Sequence, residues 1–251
     1  MAILTAPVVE WYNVDRVNPI NTNTSVIAQP YDFGIVDAGY IPTPNDYYSF
    51  LIWNNRDTMD RAPQMEDVTI GVKDMSGGNG STVGQEVWAI NGNVKWFWAY
   101  VDSIGETDAN FAQIGATLTK PIGTNGTTTH PDVANAITWS ASQSKSVGDV
   151  VQPAVDNGFI YKAVAGGTTD TAQPTWSTVQ GDIVVDGGVQ YEAIQKSNTP
   201  SANSIILGGE NDGTLANASG NFARITMKVE VPLSAQSGRQ DFKLRTSYRY
   251  V

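Results

Sequence analysis

The stretch at residues 139–194 decides the predicted fold: WSASQSKSVGDVVQPAVDNGFIYKAVAGGTTDTAQPTWSTVQGDIVVDGGVQYEAI. Three runs within it are rich in β-branched and aromatic residues and are bounded by Gly, Pro, Asn or Asp: VGDVVQP at 147–153, GFIYKAV at 158–164 and GGVQYEAI at 187–194. Such runs are typical of strands. The Gly and Asn residues around them tolerate the positive φ of tight turns. The stretch therefore predicts a compact β-module of three strands.

Polar stretches flank this module, GTNGTTTH at 123–130 and KSNTPSA at 196–202. We interpret both as linkers, because exposed loop tips are the sites that tolerate an inserted domain. The sequence then predicts two domains. Residues 125–198 form the inserted β-module, and residues 1–124 and 199–251 form one discontinuous domain with a β-sandwich or jelly-roll-like fold.

The flanking chain has the patterns of sheet strands. Apolar and polar residues alternate at 67–73 (DVTIGVK), at 223–231 (ARITMKVEV) and again at 240–251, which predicts half-exposed strands. The run YYSFLIW at 47–53 is almost entirely apolar or aromatic and predicts a strand buried on both faces. No segment has helical periodicity, so the predicted fold class is all-β, with strands from before and after the insert sharing one core.

A hairpin is predicted at 86–101, because Asn91-Gly92 is the strongest short turn signal and separates two apolar runs. Its second strand would place Trp96, Trp98 and Tyr100 on one face, which we interpret as core or as a subunit interface. The run at 111–120 is expected to form one further strand.

Composition excludes several classes of function. The net charge of −10 argues against nucleic-acid binding, which needs a basic surface. The absence of cysteine excludes disulfides, thiolate metal sites and a cysteine nucleophile. The sequence starts without the pattern of a secretion signal, and no apolar run has the length of a membrane span, so we expect no membrane insertion.

The module resembles a small module found in bacteriophage tail and fibre proteins, which is itself similar to carbohydrate-binding modules of the chitin-binding type. Five motifs carry the resemblance: Trp139, VGDVV at 147–151, GFIYKA at 158–163, QPTW at 173–176 and DGGVQYE at 186–192. Three flanking segments, at 50–55, 68–74 and 242–250, are similar to segments of tailed-phage virion proteins.

This resemblance implies a non-enzymatic structural component of a phage virion, in the tail or baseplate or as a decoration protein on the neck or capsid surface. The chain would form a homo-oligomer, contact other virion proteins through its sandwich domain and display the module outward for host attachment. It would be made in the host cytoplasm and reach the virion without secretion. The alternative is a carbohydrate-binding, lectin-like protein that recognises a cell-surface glycan.

Four aromatic residues of the module are the candidate glycan site: Trp139, Tyr161, Trp176 and Tyr191. Exposed Trp and Tyr rings offer planar apolar faces on which a sugar ring can stack. The alternative is that these rings form the core of a module too small to have another one. We expect Tyr161 and Tyr191 to be partly buried and Trp176 to be the most exposed.

The C-terminal run carries four cations that form a candidate assembly interface: Arg239, Lys243, Arg245 and Arg249. A basic stripe on an acidic protein can dock against an acidic neighbour. Equally, charged residues can protect an edge strand from unwanted pairing.

We predict no catalytic residue, no metal site and no cofactor. The single histidine, His130, lies in a predicted linker, and a catalytic triad or a histidine zinc site would need it held in place. The acids considered for glycan cleavage were Asp102, Glu106, Asp108 and Glu192, and those considered for calcium were Asp60, Glu66 and Asp67, or Asp102 with Glu106 and Asp108. Neither set has the spacing of a known motif, so both are interpreted as solvated charge.

Overall fold

The computed structural model describes residues 3–13, 19–21, 34–74, 77–78, 98–102, 111–235 and 241–250. Over these ranges the protein is all-β, which confirms the predicted fold class. The only helices in them are two 3-10 turns, Pro44–Asp46 and Pro131–Asn135. No helix in this part of the chain is long and apolar enough to cross a membrane.

The strands, in chain order, are β1 (Val9–Asn13), β2 (Pro19–Asn21), β3 (Tyr48–Asn54), β4 (Met65–Lys73), β5 (Trp98–Asp102), β6 (Ala112–Ile114), β7 (Lys120–Pro121), β8 (Thr128–Thr129), β9 (Ile137–Thr138), β10 (Ser144–Lys145), β11 (Val150–Gln152), β12 (Phe159–Ala165), β13 (Gly167–Thr168), β14 (Ile183–Asp186), β15 (Val189–Gln195), β16 (Ser197–Asn198), β17 (Phe222–Glu230) and β18 (Lys243–Tyr250).

Two sheets share the larger core. One is a six-stranded antiparallel sheet in the order β2-β1-β3-β17-β5-β6, and the other is three-stranded in the order β18-β4-β7. Val68, Ile70 and Val72 on β4 pack into the same cluster as Ile225 and Met227 on β17. Strands from before and after the module therefore contribute to one hydrophobic core, and we call these two sheets the sandwich.

The central strands are more buried than alternation alone predicts. β3 is buried over its last five residues, as expected for 47–53. β17 was expected to be half-exposed, but it lies between β3 and β5 and its polar residues Thr226 and Lys228 are buried as well. The Thr226 hydroxyl lies 2.9 Å from the Ser49 hydroxyl on β3, which satisfies both groups. Thr226 therefore lies in a hydrogen-bonded layer between the strands, whereas Arg224 on the same strand is exposed.

The prediction of a single strand at 111–120 is wrong. The chain forms β6, turns between Gly115 and Leu118, and then forms β7 in the other sheet. Gly71 on β4 permits this crossing, because an added Cβ there would lie 2.9 Å from the carbonyl oxygen of Gly115. β17 and β18 likewise belong to different sheets, β17 to the six-stranded one and β18 to the three-stranded one.

The module contains a five-stranded sheet in the order β14-β15-β12-β11-β9, of which only β9 and β11 pair in parallel. Its core is a separate cluster: Val151, Tyr161, Ala163, Val184, Val189, Tyr191 and Ala193. Strand β14 was missing from the three predicted strands. It pairs with β15 across the two-residue turn Gly187-Gly188, where Gly187 has a φ of +59°.

The stretches interpreted as linkers are built into the fold, which corrects that interpretation. β8 pairs with β16 in antiparallel register, so the entry and exit of the module lie side by side. Thr128 and His130 are buried, and the Thr128 hydroxyl donates a 2.8 Å hydrogen bond to Oδ1 of Asn221. Thr128 lies in the stretch interpreted as a linker but satisfies a buried polar group at this junction.

The predicted hairpin at 86–101 falls mainly outside the described residues, as do Trp96 and the side chain of Trp98. Its last part is β5, which pairs with β17 and β6. Tyr100 on this strand is half-buried.

Candidate functional site

Two of the four candidate glycan-stacking residues are fully buried. Tyr161 on β12 and Tyr191 on β15 have 0% of their surface exposed. Both point into the module core, because they lie on the inner face of its two longest strands. A ring without an exposed face cannot stack on a sugar, so the expectation of a glycan contact is corrected for these two residues.

Their hydroxyl groups differ in hydrogen bonding. The Tyr161 hydroxyl donates to the carbonyl oxygen of Ser177 at 2.8 Å and accepts from Nδ2 of Asn157 at 2.7 Å. The Tyr191 hydroxyl is buried and has no hydrogen-bond partner within the described ranges. Burial, with a contribution from the charge of Asp186, raises the pKa of Tyr191 to about 12.

The two tryptophans are half-buried against the same core. The indole N–H of Trp139 donates a 2.7 Å hydrogen bond to Oδ2 of Asp186. The Trp176 ring packs 4.2 Å from the Tyr161 ring, centre to centre, and meets the Tyr191 ring edge-on at 5.8 Å. Trp176 is therefore less exposed than predicted. The aromatic residues cover one another instead of presenting a flat row of rings to solvent.

Among the described strands, β18 pairs with β4 alone, so the predicted basic stripe lies on a strand at the edge of the described sheet. Arg239 falls outside the described residues, Lys243 is half-buried and Arg245 is exposed. Arg249 forms ion pairs with Glu66 at 2.8 Å and with Asp67. These contacts join two of the carboxylates considered for calcium to a cation. In the described part of the chain, no group of three or more His, Asp or Glu residues could hold a metal ion.

A cavity of about 240 Å³ lies at the junction between the sandwich and the module. The sandwich contributes Arg61, Gln64 and Glu210, and the module contributes Gln180, Gln195 and Asn198. The rest of the lining consists of Thr128 and His130, from the segment that joins them, and of Ala62, Leu207, Gly208 and Gly209. Neither acids nor aromatics dominate this cavity, and its main side-chain groups are amides.

His130 is held rigidly in this wall. It caps the 3-10 turn Pro131–Asn135, since its Nδ1 accepts a 3.1 Å hydrogen bond from the backbone N–H of Asp132. Its own backbone N–H donates to the carbonyl oxygen of Lys196 at 2.9 Å, across the β8–β16 junction. Burial lowers the pKa of His130, which is only 4% exposed. Its Nε2 is buried and has no partner among the described residues.

Glu210 is the carboxylate of the cavity and is 7% exposed. Burial raises the pKa of Glu210, and the nearby charge of Arg61 acts in the opposite direction. Its Oε1 lies 3.9 Å from Nε of Arg61, which is within ion-pair range but too long for a hydrogen bond. In the described structure this buried oxygen has no hydrogen-bond partner.

Buried asparagines fix the glycine segment of the wall. Nδ2 of Asn55 donates to the carbonyl oxygen of Gly208 at 2.8 Å. Asn211 and Asn221 donate to the carbonyl oxygen of Gly209 at 3.0 and 2.8 Å. An added Cβ on Gly208 would lie 2.2 Å from the carbonyl oxygen of Ala62, so this position requires glycine. The cavity wall is therefore preorganised by a hydrogen-bonded network.

Comparison of this chain with protein-family models, with curated proteins and with solved structures finds no match.

The sequence indicates no role for His130, which lies in a predicted linker, and gives no signal for Glu210. Nothing in the local spacing marks either residue, because the β8–β16 pair and the asparagine network bring them to one cavity from distant parts of the chain. Of the other acids considered, Glu106 and Asp108 lie outside the described residues, and Glu192 is half-buried on β15.

Proposed function

We propose that this protein is a non-enzymatic structural subunit of a phage virion, in which the sandwich docks to neighbouring subunits and the module is displayed outward. One observation carries the proposal: Tyr161 and Tyr191 are part of the module core, and Trp139 and Trp176 pack half-buried against it. A lectin needs exposed ring faces, whereas a displayed structural module needs only to be stable. We place the subunit in the tail or baseplate, because the resemblance of the module is to tail and fibre proteins.

The sandwich has a surface suited to assembly. β18 has eight residues and lies at the edge of its sheet among the described strands, and its exposed side chains include Arg245, Tyr248 and Tyr250. Tyrosine and arginine are enriched in protein–protein interfaces. A basic strand on a chain with a net charge of −10 is also complementary to the acidic surface of a second copy. These features favour a homo-oligomer in which β18 contacts an adjacent subunit.

The experiment compares the solution mass of the full-length chain with that of a variant lacking the module. The β8–β16 register gives the design, because Thr129 and Ser197 are paired and an Asn-Gly turn can replace residues 130–196 between them. Multi-angle light scattering should give the same discrete oligomer for both proteins, since the assembly contact is assigned to the sandwich.

A single substitution on β18 tests directly whether this strand forms the assembly contact. The variant Arg245→Glu, which reverses an exposed charge on β18, should weaken the oligomer and leave the fold unchanged by circular dichroism. A monomeric full-length chain at all concentrations, or an oligomer lost only on removal of the module, would count against the proposal.

The alternative, a glycan-binding protein that acts through the module, predicts a different result. Its remaining candidate contacts are the exposed parts of Trp139 and Trp176. Binding of cell-surface glycans by a monomer, lost in Trp176→Ala, would favour that alternative.

A further inference from the structure

We propose that the cavity between the sandwich and the module binds a small neutral polyhydroxylated ligand, about the size of one sugar ring. The inference is independent of the virion role and of the aromatic residues of the module. It starts from two buried polar side chains, His130 and Glu210, that line one cavity and each have an atom with no hydrogen-bond partner in the described structure.

His130 supplies a hydrogen-bond donor. Its Nδ1 accepts the N–H of Asp132, so the proton of the neutral imidazole is on Nε2. Two charges act on this ring, the Asp132 carboxylate, which favours the protonated form, and the Lys162 ammonium, which opposes it. Burial outweighs both and favours the neutral form. The Nε2–H of His130 is therefore a hydrogen-bond donor without an acceptor among the described residues, in a side chain that is only 4% exposed. A ligand could supply that acceptor.

Glu210 supplies the matching acceptor. Its Oε1 is buried, and the Arg61 guanidinium offsets its charge from 3.9 Å without donating a hydrogen bond to it. A buried carboxylate oxygen without a hydrogen-bond donor is costly, and a ligand hydroxyl is one group that can remove that cost.

The charge balance of the cavity selects a neutral ligand. Arg61 and Glu210 oppose each other. The other polar side chains of the lining carry no charge when His130 is neutral: Gln64, Thr128, His130, Gln180, Gln195 and Asn198. An anion would meet the Glu210 carboxylate. A metal ion would find a single carboxylate, since the described chain has no group of three or more metal-binding side chains.

Hydroxyl groups fit this wall because each both donates and accepts, as the Nε2–H of His130 and the Oε1 of Glu210 require. Amide side chains likewise offer donors and acceptors to a ring of hydroxyls. The cavity volume of about 240 Å³ lies just below the usual range of roughly 300–1,000 Å³ for small-molecule sites. It therefore has room for about one sugar ring.

The site also connects the two domains. Gln180 and Gln195 belong to the module and are joined by a 2.6 Å hydrogen bond from the Gln195 N–H to Oε1 of Gln180. Gly208 and Gly209 belong to the sandwich and are held by the asparagine network. A ligand that contacts both walls would hold the module against the sandwich.

The single histidine makes the experiment specific, because the only imidazole resonances in a spectrum of the full-length protein belong to His130. The probes are glucose, galactose, mannose, N-acetylglucosamine and inositol, with acetate and inorganic phosphate as anionic comparisons. We expect at least one neutral probe to shift the His130 Nε2 and Hε1 resonances saturably, and neither anion to do so at the same concentration.

The variant Glu210→Gln removes the charged acceptor and keeps the reporter, and it should weaken binding of the active probe about tenfold. Glu230→Gln makes the same chemical change on β17, outside the cavity, and should leave binding unchanged. If no neutral probe shifts His130, or only the anions do, the cavity is a hydrated gap or a site of another class and the proposal is overturned. Shifts confined to tryptophan indole resonances would likewise overturn it, because they would place binding on the module.

Discussion

The indole N–H of Trp139 donates a 2.7 Å hydrogen bond to Asp186, a carboxylate that is only 2% exposed. The other oxygen of Asp186 accepts the backbone N–H of Asp170 at 2.8 Å. One buried carboxylate thus ties the chain before β10, the loop after β13 and the end of β14 together. Trp139 was a candidate for sugar stacking, but its polar edge is directed into the protein.

Replacing Trp139 with Phe should destabilise the module by about 1–3 kcal/mol, because Oδ2 of Asp186 would stay buried without its donor. The matched variant is Trp176→Phe, since Nε1 of Trp176 is buried and makes no hydrogen bond in the described structure. Trp176→Phe should lower the free energy of unfolding by less than Trp139→Phe, because it removes a buried donor that has no hydrogen-bond acceptor among the described residues. Urea unfolding followed by circular dichroism gives both values. Equal losses for the two variants would mean that ring volume, and not the hydrogen bond, controls stability.

Tyr161→Phe and Tyr191→Phe should differ in the same way. Both rings are fully buried, but only the Tyr161 hydroxyl has partners, Ser177 and Asn157. Loss of the Tyr161 hydroxyl should lower the free energy of unfolding by about 1–2 kcal/mol, whereas loss of the Tyr191 hydroxyl should be neutral or stabilising. Chemical denaturation of the two variants in parallel tests this, and a larger loss for Tyr191→Phe would contradict it.

Alkaline pH should destabilise the module through Tyr191. Its pKa is about 12 in the folded protein and 10.0 in the reference state, so above pH 10 the unfolded chain releases the proton while the folded chain keeps it. The stability contributed by this group is complete below pH 10 and falls as the pH rises toward 12. Tyr191→Phe should therefore show a shallower decline of the unfolding free energy over this window. An unchanged decline would assign it to other tyrosines.

Glu210→Gln should raise the free energy of unfolding at neutral pH. The pKa of Glu210 is raised above its reference value of 4.5, so the stability this group contributes is present below pH 4.5 and is lost as the pH rises through the folded pKa. The neutral glutamine avoids that loss, and the difference between variant and wild type should vanish in acid. Glu230→Gln is the contrasting control, because it removes a 3.3 Å ion pair with the buried Lys228 and should destabilise at pH 7. Thermal melts at pH 4 and pH 7 measure both effects.

Strands could be predicted from the sequence where buried and exposed residues alternate along the chain. β4 was predicted closely because Val68, Ile70 and Val72 face one core while Thr69 and Lys73 are less buried. The pattern misled at β17, since a strand covered on both faces can carry Thr226 inside when Ser49 lies opposite.

The cavity could not be predicted from sequence, because its chemistry comes from pairing over long distances. His130 and Glu210 lie 80 positions apart in the sequence, and composition made the segment of His130 look like a linker. The buried asparagines gave no signal either, since asparagine is usual in exposed turns and its role here depends on the carbonyl groups that the fold brings to it.

The antiparallel contact between β8 and β16 also bears on how the chain folds. About 100 residues separate β7 from β17, and the two strands must come together in one core. Once the module has folded and β8 has paired with β16, the effective loop is only about a third as long, which lowers the entropy cost of closing it by about 1 kcal/mol. A module that folds early would thus bring the two ends of the long loop together and speed folding of the domain into which it is inserted.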